Sequence, residues 1–441
     1  MKYRWSGGET THDFAEVLRL GSAPDGGLYY VEDIPDLSDL LIRDDLPLSP
    51  DSSQYNAFAA GVLERLLPGD APGDSWQEIL DRAYDFAPVL RPLGNDYLLE
   101  LFHGPSCAFK DFGARFLAAF LQADCERRGE KLLILTATSG DTGSAVGQAF
   151  AGSTSVDVII LFPKGRISRL QKKQLTTIGG NVHAIEVAGN FDDCQRMVKE
   201  SFADSDLRTD LNLSSANSIN LGRLLPQMLY YLYAAAVVTG MTGEPPLFCV
   251  PSGNFGNLTA GVMGYKAGMP VSGFIAATNR NDVVPEYLHG AEFKPRASVE
   301  TISNAMDVGN PSNFTRLLHL LGDDYHTVCT QISGYSLSDE RTREIMKEYS
   351  ERMNYLLCPH TAVGLAAAEQ HRNAQRIPDS IPCITLGTAH PAKFPEVVQD
   401  ATGRIPEPPS RLARVVDMPG HADSMGPDSR ELAAWLRERG F

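Results

Sequence analysis

Lys110 stands between Phe109 and Phe112 in the stretch FHGPSCAFKDFGARF (102–116), just after a His-Gly-Pro turn. An ammonium among apolar side chains is costly unless it is paired or gives up its proton. Two readings follow. The stem can lie along apolar neighbours with its head in water, or the amine can be neutral and nucleophilic. The local sequence leaves both open.

Three other stretches carry chemistry. PSGNFGN (251–257) follows the apolar run LFCV and opens the helical pattern NLTAGVMGYKAG. Its glycines let backbone amides converge where a helix dipole adds positive potential, which makes a phosphate cradle. It is neither G-x-G-x-x-G nor a loop ending in Lys-Ser/Thr, so it suits one phosphate monoester, such as a cofactor phosphate, better than a triphosphate. The plain alternative is a tight strand-to-helix turn. TSGDTGSA (138–145) puts Ser139, Asp141 and Thr142 at a helix start. Capping by Asp141 or Thr142 is one reading; a second anion site, in which Ser139 and Thr142 take a substrate carboxylate, is the other. There Asp141 would repel the substrate, so it is expected to point away and cap. GTAHPAKF (387–394) sets Thr388 just past a buried strand. A desolvated lysine, a monophosphate cradle and a separate carboxylate loop together are what a pyridoxal phosphate enzyme requires.

These loops need strands to carry them. KLLILTAT (131–138), VDVIILFP (156–163), NVHAIEVAG (181–189), LFCV, VSGFIAATN and IPCITLG read as buried strands, each followed by a loop and a helical pattern. Strands alternating with helices at these lengths give an α/β protein with parallel sheets, helices on both faces and right-handed crossovers. Ligands in such sheets collect outside the carboxyl ends of the strands, where these loops fall. SINLGRLLPQMLYYLYAAAVV is a long buried helix, expected to kink near Pro226. Residues 1–90 read as an N-terminal lobe, 91–398 as a catalytic core of two α/β subdomains, and 399–441 as a C-terminal segment ending in an amphipathic helix.

The 441 residues carry a net charge of −16, which repels nucleic acid on average without excluding a local basic pocket. Seven cysteines at 107, 125, 194, 249, 329, 358 and 383 include no C-x-x-C pair, so no zinc pattern arises and a reducing compartment is expected. With neither an apolar signal core nor an 18-residue apolar run, a cytoplasmic protein without a membrane span is expected.

HGPSCAFKDFG, ATSGDTGSA, SANSIN, PSGNFGN, SNAMDV and LGTAHPAKF together resemble threonine synthase in its shorter microbial and fungal form, over about residues 3 to 398. The resemblance implies a tryptophan synthase β-like fold and a carbon–oxygen lyase that converts O-phospho-L-homoserine and water to L-threonine and phosphate. It implies that Lys110 holds pyridoxal 5′-phosphate as a Schiff base and later moves protons, that Gly253, Asn254, Phe255, Gly256 and Asn257 hold the cofactor phosphate, and that Thr388 faces the pyridine nitrogen. Ser139, Thr142, Asn217 and Ser218 become candidate substrate donors, with Lys164 and Arg166 further candidates for its phosphate and His103 a candidate proton carrier. Ser106-Cys107 replaces the family's usual Thr-Leu, and RWSGGETT lacks an arginine the family often has there. The nearest rival is a related phospho-lyase or a serine/threonine dehydratase that releases a 2-oxo acid; a non-catalytic member would have lost Lys110. The expected partner is a small-molecule substrate, with a monomer or homodimer as the assembly.

Overall fold

The computed structural model describes all residues except Ser6, Thr10, Thr11, Pro24, Asp25, Asp74 and Ser139. Its strands are β1 (Tyr3–Trp5), β2 (Gly8–Glu9), β3 (Tyr29–Val31), β4 (Val89–Leu93), β5 (Asp96–Glu100), β6 (Leu132–Ala137), β7 (Val156–Pro163), β8 (Val182–Val187), β9 (Leu213–Ser214), β10 (Leu247–Pro251), β11 (Gly273–Thr278), β12 (Ile332–Ser336), β13 (Cys383–Gly387) and β14 (Asp423–Met425). They form three sheets, ordered β2-β1-β3, β12-β11-β10-β13-β5-β4 and β14-β8-β7-β6-β9. The five-stranded sheet is parallel throughout, and the six-stranded one is parallel except at β4, which pairs antiparallel with β5 at the edge.

Alternation along the strands divides the core into layers. Phe248 and Val250 of β10, Phe274 and Ala276 of β11, and Ile134, Val158 and Ile160 of the other sheet share one large core. Their neighbours point the opposite way: Cys249 and Ile275 into an outer layer beside one sheet, Leu133, Leu135 and Ile159 into one beside the other. Successive side chains of a strand face opposite sides, so continuous apolar runs are what a sheet covered on both faces needs.

The helices Lys110–Arg128 and Leu221–Thr242 lie in the shared core. Leu221–Thr242 is, among the described residues, the one helix long and apolar enough to cross a membrane, but 83% of its most apolar stretch is buried inside the protein. It is assigned without a break through Pro226. Buried side chains of the first ninety residues, among them Phe14, Tyr55 and Trp76, join the same core. The C-terminal segment contributes β14, which pairs with β8, and the closing helix Ser429–Arg439, which buries Leu432 and Leu436 in the outer layer.

Candidate active site

The turn before Lys110 folds around Asp111. The Ser106 amide donates to Asp111 Oδ2 at 2.9 Å, and a Cβ on Gly104 would meet that oxygen at 2.4 Å, so only glycine leaves room for it. Cys107 follows at φ 57°, a conformation that costs a branched or bulky residue and marks a functional turn. Ala108 then bridges Ala389, with Phe109 donating to the Thr388 carbonyl at 2.8 Å and His390 to that of Cys107 at 3.0 Å. This short ladder fixes the loop after β5 to the loop after β13, and Lys110 starts its helix directly beyond it.

Lys110 keeps 17% of its side chain exposed, and its Nζ lies 3.8 Å from Asp141 Oδ2 and 5.5 Å from the Phe109 ring centroid. Burial pushes its pKa down; Asp141 opposes the shift, and Lys393 and Arg223 add to it. Phe112 has a different place from the one expected: it is fully buried among Tyr55, Tyr84, Phe86 and Tyr230, where it anchors the helix.

Asp141 does not point away. Its Oδ1 accepts from Lys393 Nζ at 3.0 Å and from Gln171 Nε2 at 3.2 Å. Burial alone would raise this carboxyl, but Lys393, Lys110 and the bonds from Lys393 and Gln171 hold it well below its usual range. A carboxylate between two lysines gains more from facing them than from capping its own helix. The cap falls to Thr138, whose hydroxyl accepts from the amides of Gly140 and Gly143 at 2.9 and 2.8 Å. Thr142 is half-buried in the first helical turn, with no side-chain hydrogen bond among the described residues. Ser139 lies outside the described residues.

In the loop after β10, Phe255 adopts φ 60° and caps the helix Gly256–Lys266. A Cβ on Gly253 would lie 2.8 Å from Met306 Cα, whereas one on Gly256 would meet the side chains of Asn313 at 3.3 Å and Leu224 at 3.6 Å. The amides of residues 253–257 donate to no group among the described residues, as an anion cradle requires. Asn254 ties the loop down: its Nδ2 donates to Ser218 Oγ at 2.6 Å, and its Oδ1 accepts from the Ser312 amide and hydroxyl. The Asn257 side chain is turned inward, its Oδ1 accepting from Tyr230 and Tyr231 at 2.6 and 2.9 Å. Only its amide remains with the cradle. Asn217 Oδ1 is occupied by Thr136 Oγ1 at 2.6 Å. Thr388 is buried, and its hydroxyl bonds to no group among the described residues.

Other expected residues stand apart. Lys164 and Arg166 lie on an exposed turn after β7. His103 donates to Glu100 at 3.0 Å and lines a cavity of about 490 Å³ with Arg91, Cys107, Tyr355 and His390, behind the ladder that carries Lys110.

Three residues were missed as site residues. Arg223 is buried and donates to the Ala216 carbonyl, but its Nε lacks a partner; burial lowers it to about 10. His360 is buried, lowered to about 4 by desolvation, and accepts from the Ala305 amide while its Nδ1 is unbonded. Lys393, 1% exposed, is the third; its place in PAKF beside a proline was the one sequence signal available. Ser106 Oγ and Asp111 Oδ1 are likewise unbonded. Unsatisfied buried polar atoms are costly, and two of them belong to Arg223 and His360, charged or titratable groups that act on Lys110. The amides of residues 253–257, which bond to no described residue, and the desolvated amine of Lys110 supply the donors and the nucleophile that pyridoxal phosphate needs, so the residues present fit it.

Residues 92–387 match the family model for pyridoxal-phosphate dependent enzymes, and residues 361–435 the model for the threonine synthase C-terminal region. Threonine synthase of Haemophilus influenzae is 40% identical over 424 residues, 96% of each chain. The chain belongs to the threonine synthase family. Solved threonine synthase structures agree: that of Escherichia coli superposes with a TM-score of 0.88 at 38% identity over 100% of both chains. The pyridoxal-phosphate-bound threonine synthase of Brucella melitensis gives 0.89 at 32% identity over 99% of both. Members of this family are pyridoxal phosphate-dependent lyases of threonine biosynthesis, and this chain shares their cofactor class and tryptophan synthase β-like fold.

Proposed function

We propose that the chain converts O-phospho-L-homoserine and water into L-threonine and phosphate, with Lys110 as the residue that takes the cofactor. The observation that carries this reading is the desolvated amine of Lys110, 3.8 Å from a buried carboxylate. Pyridoxal phosphate, when bound, supplies an electron sink for the carbons next to the substrate's amino group.

The chain's own residues do the rest. The amides of Gly253 to Asn257 hold the cofactor phosphate, and Thr388 offers its ring nitrogen a hydroxyl in place of a carboxylate. Lys110, once substrate has displaced it, is the base that moves protons between the substrate's α and β carbons. Thr142 and the helix start around it take the substrate carboxylate, with Ser139, Asn217 and Ser218 as further donors. Lys393 and Arg223 are buried cations that would offset the charge of a phosphate that leaves from the γ carbon while water adds at the β carbon.

Every group named belongs to one protomer, so a monomer or a homodimer serves equally well. All seven cysteines are free, which supports the cytoplasm as the place of work. The test is a product analysis: purified protein with pyridoxal phosphate and phosphohomoserine is expected to release threonine and phosphate in equal amounts. 2-Oxobutyrate as the main organic product would overturn the reading in favour of a dehydratase-like elimination.

A further inference from the structure

Two lysines share one carboxylate at this site, and they share it unequally. Lys393 Nζ is 3.0 Å from Asp141 Oδ1 and donates to the Ser106 carbonyl at 2.7 Å, with its side chain 1% exposed. Lys110 Nζ is 3.8 Å from the other oxygen, beyond hydrogen-bond distance. Asp141 opens the helix after β6 in the five-stranded sheet, while Lys393 follows β13 in the six-stranded one, so the pair also spans the two sheets.

A lone carboxylate beside a buried amine would hold it as ammonium, which cannot attack a carbonyl. We propose that Lys393 is a positioning residue: by pairing with Asp141 it withholds that carboxylate from Lys110 and so leaves Lys110 the uncommitted, nucleophilic amine. Its own charge acts in the same direction, because one ammonium disfavours another nearby. The inference rests on Lys110 being the amine that takes the cofactor. The other charged or titratable groups acting on Lys110 are Arg223 of Leu221–Thr242 and His360 of Pro359–Gln375, with Asp111 next in its own helix. All three are unchanged in the variants below, so their effects cancel in the comparison.

The experiment reads the amine without the cofactor. Apoprotein is trace-labelled with acetic anhydride across a pH series, and mass spectrometry gives the midpoint at which Lys110 becomes reactive. Lys393→Met should raise that midpoint by about one pH unit, and Asp141→Asn should lower it by a similar amount. Lys393→Arg should stay near wild type. The double variant Lys393→Met/Asp141→Asn, which removes both charges together, should return to within about half a unit of wild type. The same series, read by the visible band on adding pyridoxal phosphate and by borohydride trapping, should shift in parallel. A Lys393→Met midpoint equal to wild type overturns the proposal. If that variant does not fold, the double variant decides: a midpoint lowered like that of Asp141→Asn alone means that Lys393 is only a structural tie. Normal midpoints with a borohydride label on another lysine would sink the cofactor assignment instead, so the two failures are seen apart.

Discussion

Two buried carboxylates flank the loop that leads from β5 to Lys110, and they are treated oppositely. Glu100, at the end of β5, accepts from Arg91 at 2.7 Å, Tyr355 at 2.8 Å and His103 at 3.0 Å, so both oxygens are filled. Its cationic partner Arg91 is half-exposed and lies over the Tyr355 ring at 4.9 Å. Asp141 instead faces Lys393, which is 1% exposed, and Lys110, which is 17% exposed, and also accepts from Gln171. A satisfied ion cluster with a wet rim stabilises a fold. A desolvated one whose members perturb one another's titration is the arrangement of a functional site.

The sharpest way to break this contrast is to remove the uncommitted amine from the Asp141 cluster. Lys110→Ala should cost about a thousandfold or more in turnover, the scale of losing the positioned proton carrier. Its melting temperature should stay near wild type, because the deleted amine is desolvated and uncommitted and Lys393 still pairs with Asp141. Steady-state kinetics and a thermal melt on the same preparation check this. An early melt with measurable turnover would place Lys110 in the same class as Arg91.

The contrast also shows what could be read in advance. The strands of KLLILTAT, VDVIILFP and LFCV were legible because burial on both faces writes them as unbroken apolar runs. β5, which feeds the lysine turn, was not among the expected strands, since DYLLE is short and follows a proline-containing edge strand. β9 and β14, with two and three residues, leave too little pattern to detect. Within the site, Lys110 and the glycine loops were visible because their chemistry is local to one turn. The inward Asn257 and the orientation of Asp141 were not, because each is decided by a partner from elsewhere in the chain: Tyr230 and Tyr231, and Lys393. Tertiary contact overrode the local preference of an aspartate for capping.

A second substitution sharpens the other half of the comparison. The three partners hold Glu100 down to about 2 against an ordinary value of 4.5, although burial works against them. A carboxylate lowered in this way stabilises the fold fully above its unfolded value, and that contribution is lost as pH falls from about 4.5 toward about 2. Glu100→Gln should therefore cost about 1–3 kcal/mol at neutral pH and flatten the acid limb of stability over that window. Denaturant melts between pH 2 and 7 measure it. Turnover should change by less than about threefold, since Glu100 has no reacting group to serve. A large loss of activity with unchanged stability would mean that the two clusters are not different in kind.

The smallest expected effect separates capping from binding within a single turn. Thr138 accepts two loop amides, whereas Thr142, one turn later, makes no side-chain bond among the described residues. Thr138→Ala strips the amides of Gly140 and Gly143 of their acceptor, and a lost cap costs roughly 0.5–2 kcal/mol. It should therefore lower the melting temperature while KM for phosphohomoserine stays near wild type. Thr142→Ala removes a hydroxyl that bonds to no group among the described residues, so its melt should be unchanged. Its KM should rise by about three- to tenfold, the size of one neutral hydrogen bond to a bound ligand. Measuring both variants for both properties makes the assignment reciprocal. If Thr142→Ala melts early and binds normally, the helix start is only a cap, and the substrate carboxylate must find its donors among Asn217, Ser218 and the buried cations.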